Sequence, residues 1–239
     1  PRANVLQWRA RGWLRQHLPE MARHDVGLAL ELVDGLDAPR TVAHAFLQAS
    51  VVAERQSHWL VARLYAEQAL AGYEQVGDST NAQIALNNLG GINFLLDNDD
   101  KAVACLDRAL DLALELGDEI GAAYTVSTLG RVALERGDTD AAERHATHAL
   151  ELLDGADAHL AEYGSALLIL GRARLQQERY DEAESLFRRA DGAFEQVSSV
   201  GHRAEAWVAE GDLARARGDL DAAASRYRKA ALALQDIHL

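Results

Sequence analysis

The side chains that could do chemistry are few, and their spacing does not suit it. His145 and His148 stand three residues apart near Glu143, a spacing able to hold a divalent metal on one helical face, but a convincing third ligand is missing. Cys105 is the one cysteine of the 239 residues and has no histidine near it in sequence, so it reads as a packing residue. The run Asp97-Asn98-Asp99-Asp100 has the acidic start of a calcium loop without its glycine at position 6 or its glutamate at position 12, and reads as a turn and helix cap. Gly90-Gly91 lies inside a helical pattern, and neither a phosphate loop nor a nucleophile elbow occurs. The chain is expected to be no enzyme and to need neither metal nor cofactor.

The elements that carry these residues belong to an ordinary globular composition, 49% apolar and 26% charged. A formal charge of −13 opposes phosphate backbones and acidic lipid, so direct nucleic-acid contact and membrane association are not expected. No stretch approaches a membrane span, and the opening residues lack the zones of a signal peptide, which points to the cytoplasm. Arginine outnumbers lysine 22 to 2, a bias read as a GC-rich bacterial origin. Proline occurs only at Pro1, Pro19 and Pro39, so the remaining 200 residues contain no obligatory helix breaker. The chain opens on Pro1 rather than Met, read as processing or, in preference, as a piece cut from a longer protein; its last helix, roughly 220–237, keeps Leu232, Leu234 and Ile237 uncovered, read as truncation or an end-to-end dimer through terminal helices.

A repeat organises the chain. Stepping by 40 or 41 from Ala10 meets Ser50, Gly90, Gly130, Gly171 and Gly211, all of minimal size. Twelve residues on, the column is Ala22, Ala62, Ala102, Ala142, Ala183 and Ala223; seven further on it is Ala29, Ala69, Ala109, Ala149, Ala190 and Ala230. Small residues at three fixed points, with bulky apolar residues between, are what close-packed antiparallel helices require. Leu6, Phe46, Leu86, Val126, Leu167 and Trp207 precede the small point by four, and Val26, Ala66, Leu106, Ala146, Phe187 and Tyr227 supply knobs for the small-residue holes. Gly77-Asp78, Asn98-Asp99, Gly117-Asp118, Gly137-Asp138 and Gly218-Asp219 mark the turns, glycine closing one helix and the acidic residue capping the next.

Small at position 8, alanine at 20 and 27, large apolar at 4 and aromatic at 24 resemble the tetratricopeptide repeat, most strongly from Ala82 to Ala230. The period of 40 rather than 34 is similar to the long repeats of kinesin light chains, peptide-pheromone receptors and large bacterial transcription activators. The resemblance implies an all-α, right-handed α-solenoid of about six helix pairs in a single domain over 1–239, with repeats at about 3–40, 43–78, 83–118, 123–157, 164–199 and 204–239. The first repeat departs most, with Arg9 at a core leucine position and Pro19 between its helices.

The resemblance also implies that positions 2, 5, 9, 12 and 13 of each first helix face a concave groove. These include Asn4, Gln7, Arg11, Arg15, His44, Arg55, Asn87, Phe94, Tyr124, Ser127, Arg131, Arg172 and Arg215. Six arginines against four acidic residues (Glu54, Glu135, Glu205 and Asp212) give the strip a charge of +2, which suits an extended peptide with a carboxylate or acidic side chains. In the resembled peptide receptors an asparagine at position 5 or 6 grips peptide backbone, the places of Asn87 and Asn88; Asn88 can equally bond its neighbouring helix. Position 5 never holds lysine here, which argues against partners of the carboxylate-clamp type.

The expected function is therefore a peptide- or protein-binding module, the sensory or interaction domain of a larger bacterial regulator. A sugar-like small-molecule sensor using Trp8, Tyr124 and Arg131, and a self-associating scaffold, remain as alternatives.

Overall fold

The computed structural model describes residues 2–16, 18–153 and 159–235, and these are helical throughout, with no strand among them. Twelve helices follow in order: α1 (Arg2–Arg15), α2 (Pro19–Val33), α3 (Pro39–Arg55), α4 (Trp59–Gln75), α5 (Ser79–Leu95), α6 (Asp99–Leu116), α7 (Glu119–Glu135), α8 (Thr139–Leu152), α9 (Leu160–Gln176), α10 (Tyr180–Gln196), α11 (Val200–Ala216) and α12 (Leu220–Gln235). They form two compact units, Pro1–Asp118 and Glu119–Leu239. Each unit is an α-solenoid of three helix pairs. In the first, α1/α2, α3/α4 and α5/α6 pair and stack in chain order; in the second, α7/α8, α9/α10 and α11/α12 do the same. The first helices of successive pairs lie side by side, α1, α3 and α5 in one unit and α7, α9 and α11 in the other. Ile237 lies outside the described residues.

Local chemistry accounts for the turns. Gly117 closes α6 in the left-handed conformation, φ 68°, and Gly77, Gly137 and Gly218 take the same conformation at their turns. The carboxylates of Asp78, Asp138 and Asp219 accept from the backbone N–H of Asn81, Ala141 and Ala222, each three residues on. The Asn98-Asp99 turn departs from this pattern. Its left-handed residue is Asp97, φ 55°, and the Asn98 side chain makes no capping bond to α6.

The three small-residue columns are the buried seams between helices. All twelve alanines are at most 3% exposed. A methyl group on Gly90 would lie 2.5 Å from Leu106 Cγ, on Gly171 2.5 Å from Phe187 Cε1, and on Gly211 2.5 Å from Tyr227 Cε1, so these knobs occupy these holes. In the fourth pair the knob position holds only Ala146, and Ile169 of α9 approaches Gly130 instead, 3.1 Å from where its Cβ would be.

The divergent first pair is closed by charge. Asp25, 1% exposed, accepts from Arg9 Nε and Nη2 at 2.5 Å each and from Trp13 Nε1 at 2.9 Å. Arginine at the core leucine position is thus tolerated because α2 supplies a buried carboxylate for it. Pro19 sits in the first turn of α2, where its missing N–H costs nothing.

Candidate functional site

In the second unit, the inner faces of α7, α9 and α11 enclose a groove of about 710 Å³. Its apolar floor includes Leu134, Leu168, Ile169 and Leu175; among its polar walls are Tyr124, Ser127, Arg131, Arg172 and Arg215. Helical spacing accounts for this: positions 2, 5, 9 and 12 recur on one face, so consecutive first helices stack equivalent residues. Arg131 on α7 and Arg172 on α9 both hold position 9 and have no carboxylate partner among the described residues. Arg215 differs, because Asp212 lies 3.2 Å from its Nη2 and also accepts from the Tyr227 hydroxyl at 2.8 Å. Ser127 Oγ is buried with no hydrogen-bond partner among the described residues, and the Tyr124 ring is 53% exposed above it on the same helix. Ser165, by contrast, spends its hydroxyl on the carbonyl of Ala161.

Over the second unit the expected strip is neutral, Arg131, Arg172 and Arg215 against Glu135, Glu205 and Asp212, and the groove adds Glu162. Three arginines face four acidic residues, Glu135, Glu162, Glu205 and Asp212. Glu162 and His202 fall outside the pattern of positions used on the sequence. Each lies three residues before a position-2 residue, Ser165 and Glu205, and so continues the same helical face toward the N-terminus. His202 is fixed by Ser199 Oγ at 2.7 Å and by stacking on Phe194.

The remaining candidates belong to the first unit. Arg11 lines a hollow of about 70 Å³ with Asn4, Gln7, Trp8 and His44. Asn87 is 6% exposed on α5 with Oδ1 unpartnered among the described residues; Asn88 and Phe94 are half-buried, and Arg15 and Arg55 are exposed. Of Trp8, Tyr124 and Arg131, the last two line the groove of the second unit, and Trp8 lies at the hollow in the first. A further hollow of about 390 Å³, which includes Tyr73, Asp78 and Arg108 in its lining, sits where α4 meets α5 and was not signalled by spacing.

The residues first considered for chemistry have structural surroundings. Glu143 accepts from Arg174 Nη1 and Nη2 and from Gln177, and these bonds pull its carboxyl down to about 2. Cys105 is half-buried and burial pushes its thiol up, away from the reactive thiolate. No cluster of three or more potential metal ligands occurs among the described residues, and no described helix is long and apolar enough to cross a membrane.

Two tetratricopeptide repeat models match the chain, over residues 81–154 and 127–198. No curated protein matches it. Among solved structures the chain is similar to apo RapI, with a TM-score of 0.75 and 14% identity over 98% of both chains. It is also similar to a Rap protein complexed with Competence and Sporulation Factor, at TM-score 0.79 and 15% identity, covering 99% of this chain and 76% of that one. PilF of Pseudomonas aeruginosa matches at TM-score 0.62 and 19% identity, over 94% of this chain and 88% of that one. At these identities the likeness is one of fold.

Proposed function

For a chain that belongs to the tetratricopeptide repeat family, we propose peptide binding in the groove of the second unit, as the sensory or interaction module of a larger cytoplasmic bacterial regulator. The observation that carries this reading is the pair Arg131 and Arg172. Two cations at equivalent positions of stacked helices, without carboxylate partners among the described residues, stand over an apolar floor. An extended peptide meets that arrangement with a carboxylate for the arginines and apolar side chains for Leu134, Leu168 and Leu175. The acidic residues along the same walls, Glu135 and Glu205 among them, favour a ligand of mixed charge over a purely acidic one. A similar fold was solved in complex with Competence and Sporulation Factor, which supports a ligand-bearing role for such a solenoid.

Fluorescence anisotropy against a panel of labelled peptides of equal length, acidic, basic and mixed, tests this. Mixed-charge peptides should bind best, and Arg131→Ala or Arg172→Ala should each weaken them about tenfold, near 1.4 kcal/mol. Equal affinity of both variants and the parent would remove the groove from consideration. Self-association through α12 is the second reading, favoured by Leu220, Leu232 and Leu234 at 68%, 56% and 39% exposure, and light scattering across concentration distinguishes it.

A further inference from the structure

We propose that the exposed face of α1, carrying Val5, Trp8 and Gly12, docks an acidic amphipathic helix of a partner protein. The surface belongs to the first unit, apart from the groove of the second, and does not depend on peptide binding there.

The repeat itself supplies the template. Five residues before the small point, α3, α5, α9 and α11 hold Ala45, Ala85, Ala166 and Ala206; two residues after it they hold Val52, Ile92, Ala173 and Leu213. All eight are at most 3% exposed. Each of these helices packs on the second helix of the pair before it, α3 on α2, α5 on α4, α9 on α8 and α11 on α10. In α1 the same two columns hold Val5 and Gly12, and Trp8 lies between them on one helical stripe. Val5 is 63% and Trp8 68% exposed, and a methyl group on Gly12 would meet nothing within 4 Å. The stripe that its sister helices bury under another helix thus stands open on α1.

Charge decides which helix fits. Arg2 stands eight residues before the small point, the register that Arg203 holds in α11. Arg203 Nε donates to Asp191 at 2.8 Å and its Nη1 lies 3.0 Å from Glu195, both on the preceding α10. Arg2 is exposed and makes no ion pair among the described residues, and the same holds for Arg15 at the far end of α1. In a chain of charge −13, α1 carries four arginines and no acidic residue. A helix with carboxylates at the places of Asp191 and Glu195 gives Arg2 the partners that Arg203 has. It must also be small where it meets Trp8, because alanine, Ala209, fills that column in α11.

A second copy of this chain does not offer such a helix. Its α10 is already packed between α9 and α11, and its α12 carries Arg226, Arg228 and Lys229 against Asp221, which sets like charge against α1. Pairing α1 with another α1 opposes arginine with arginine in the same way.

A synthetic peptide with the sequence of α10, residues 180–196, blocked at both ends, is the probe; five carboxylates against two arginines give it a charge of −3. Fluorescence anisotropy of the labelled peptide against the full chain should show saturable binding, weak because a single short helix must form as it docks. A blocked peptide with the sequence of α12, of charge +2, should bind at least tenfold more weakly. Trp8→Ala should weaken the α10 peptide at least tenfold and Arg2→Glu about fivefold, and both positions are exposed, so neither change should move the melting temperature. A peptide with lysine in place of Asp191 and Glu195 should lose affinity for the parent and regain it for the Arg2→Glu protein, a swap that separates direct contact from general attraction. Arg131→Ala should leave peptide affinity unchanged, which keeps this surface distinct from the groove of the second unit. The proposal is overturned by the absence of saturable binding, by equal affinity for the α12 peptide, or by a Trp8→Ala protein that binds as before. It is overturned equally by a mass that doubles with concentration in light scattering and returns to monomer in Trp8→Ala, since a second copy would then cover the face.

Discussion

The two units share their alanine seams and differ in what their first helices present. In the first unit, position 5 holds Gln7, Leu47 and Asn87, all at most 6% exposed, and Gln7 and Asn87 carry side-chain polar atoms without partners among the described residues. In the second, position 5 holds Ser127, Leu168 and Val208, and the larger polar groups stand one turn on as Arg131 and Arg172 above an open groove. The hidden face of a repeat is set by packing, which tolerates only small residues at its seams, while the inner face is free to vary. The units also knit their helices differently. Both use the glycine hole, filled by Leu106 in the first and by Phe187 and Tyr227 in the second, but only the first closes a divergent pair with an ion pair, Arg9–Asp25.

Asp25 is the sharpest way to break that contrast. Asp25→Ala removes the acceptor for both Arg9 and Trp13 from a site 1% exposed and leaves a cavity between α1 and α2. Unfolding in urea should show a loss of about 3 kcal/mol. Amide hydrogen exchange should accelerate in α1 and α2 and stay unchanged in α9 and α10. Uniform acceleration throughout the chain would mean that the ion pair supports more than its own pair.

Gly171→Ala is the counterpart in the second unit. The new methyl group would lie 2.5 and 2.7 Å from the Phe187 ring and 3.3 Å from Leu186 Cβ, and Phe187 is fully buried with nowhere to turn. Overpacking of this kind costs about 2 kcal/mol. Combining it with Phe187→Leu should cost less than the sum of the two single changes, a coupling that a double-mutant cycle measures. Strict additivity would show that the ring and the glycine do not touch in solution.

The seams were legible in the sequence and the sites less so, for a physical reason. Seam residues are limited by size, and size is visible in a column of alanines; the knobs Leu106, Phe187 and Tyr227 followed from the same spacing. Arg9 was also visible as an anomaly, but Asp25 as its partner was not, since helical spacing does not say which polar residue of α2 turns inward. The groove's three arginines and three of its four carboxylates follow from the spacing, and the fourth, Glu162, does not. Glu162 and His202 face the groove from one turn before the positions considered, and Asp212 lies beside Arg215. The open face of α1 stands in the same columns as buried residues of its sister helices, and a column of residue types does not display exposure.

Acid should probe the second unit's charged seam. Arg174 and Gln177 hold the Glu143 carboxyl at about 2, below its ordinary 4.5, so the folded state favours the ionised form. A depressed carboxyl contributes stability that is present above its unfolded value and is lost as pH falls from about 4.5 toward 2. With the Glu143 side chain 31% exposed, solvent screening holds the effect to about 1 kcal/mol. Glu143→Gln should therefore be less stable than the parent at pH 7 and equal to it near pH 2. The first unit shows the same dependence on pH through a different group. Burial and Arg11 lower the His44 pKa, so the unfolded chain takes up the proton first and stability falls as pH drops below 6.5.

The smallest effect separates space from backbone conformation. Gly192 in α10 and Gly137 at the end of α7 both have nothing within 4 Å of an added Cβ, so packing opposes alanine at neither. They differ in φ. Gly192 is helical, and Gly192→Ala removes freedom from the unfolded chain at no cost in the folded one, which should stabilise the protein by about 0.5–1 kcal/mol. Gly137 sits at φ 75°, where a side chain meets its own backbone, so Gly137→Ala should destabilise by about 1 kcal/mol. Thermal melts of the two variants should therefore move in opposite directions. Two shifts of the same sign would show that the turn after α7 relaxes out of the left-handed conformation, and with it the Asp138 cap that starts α8.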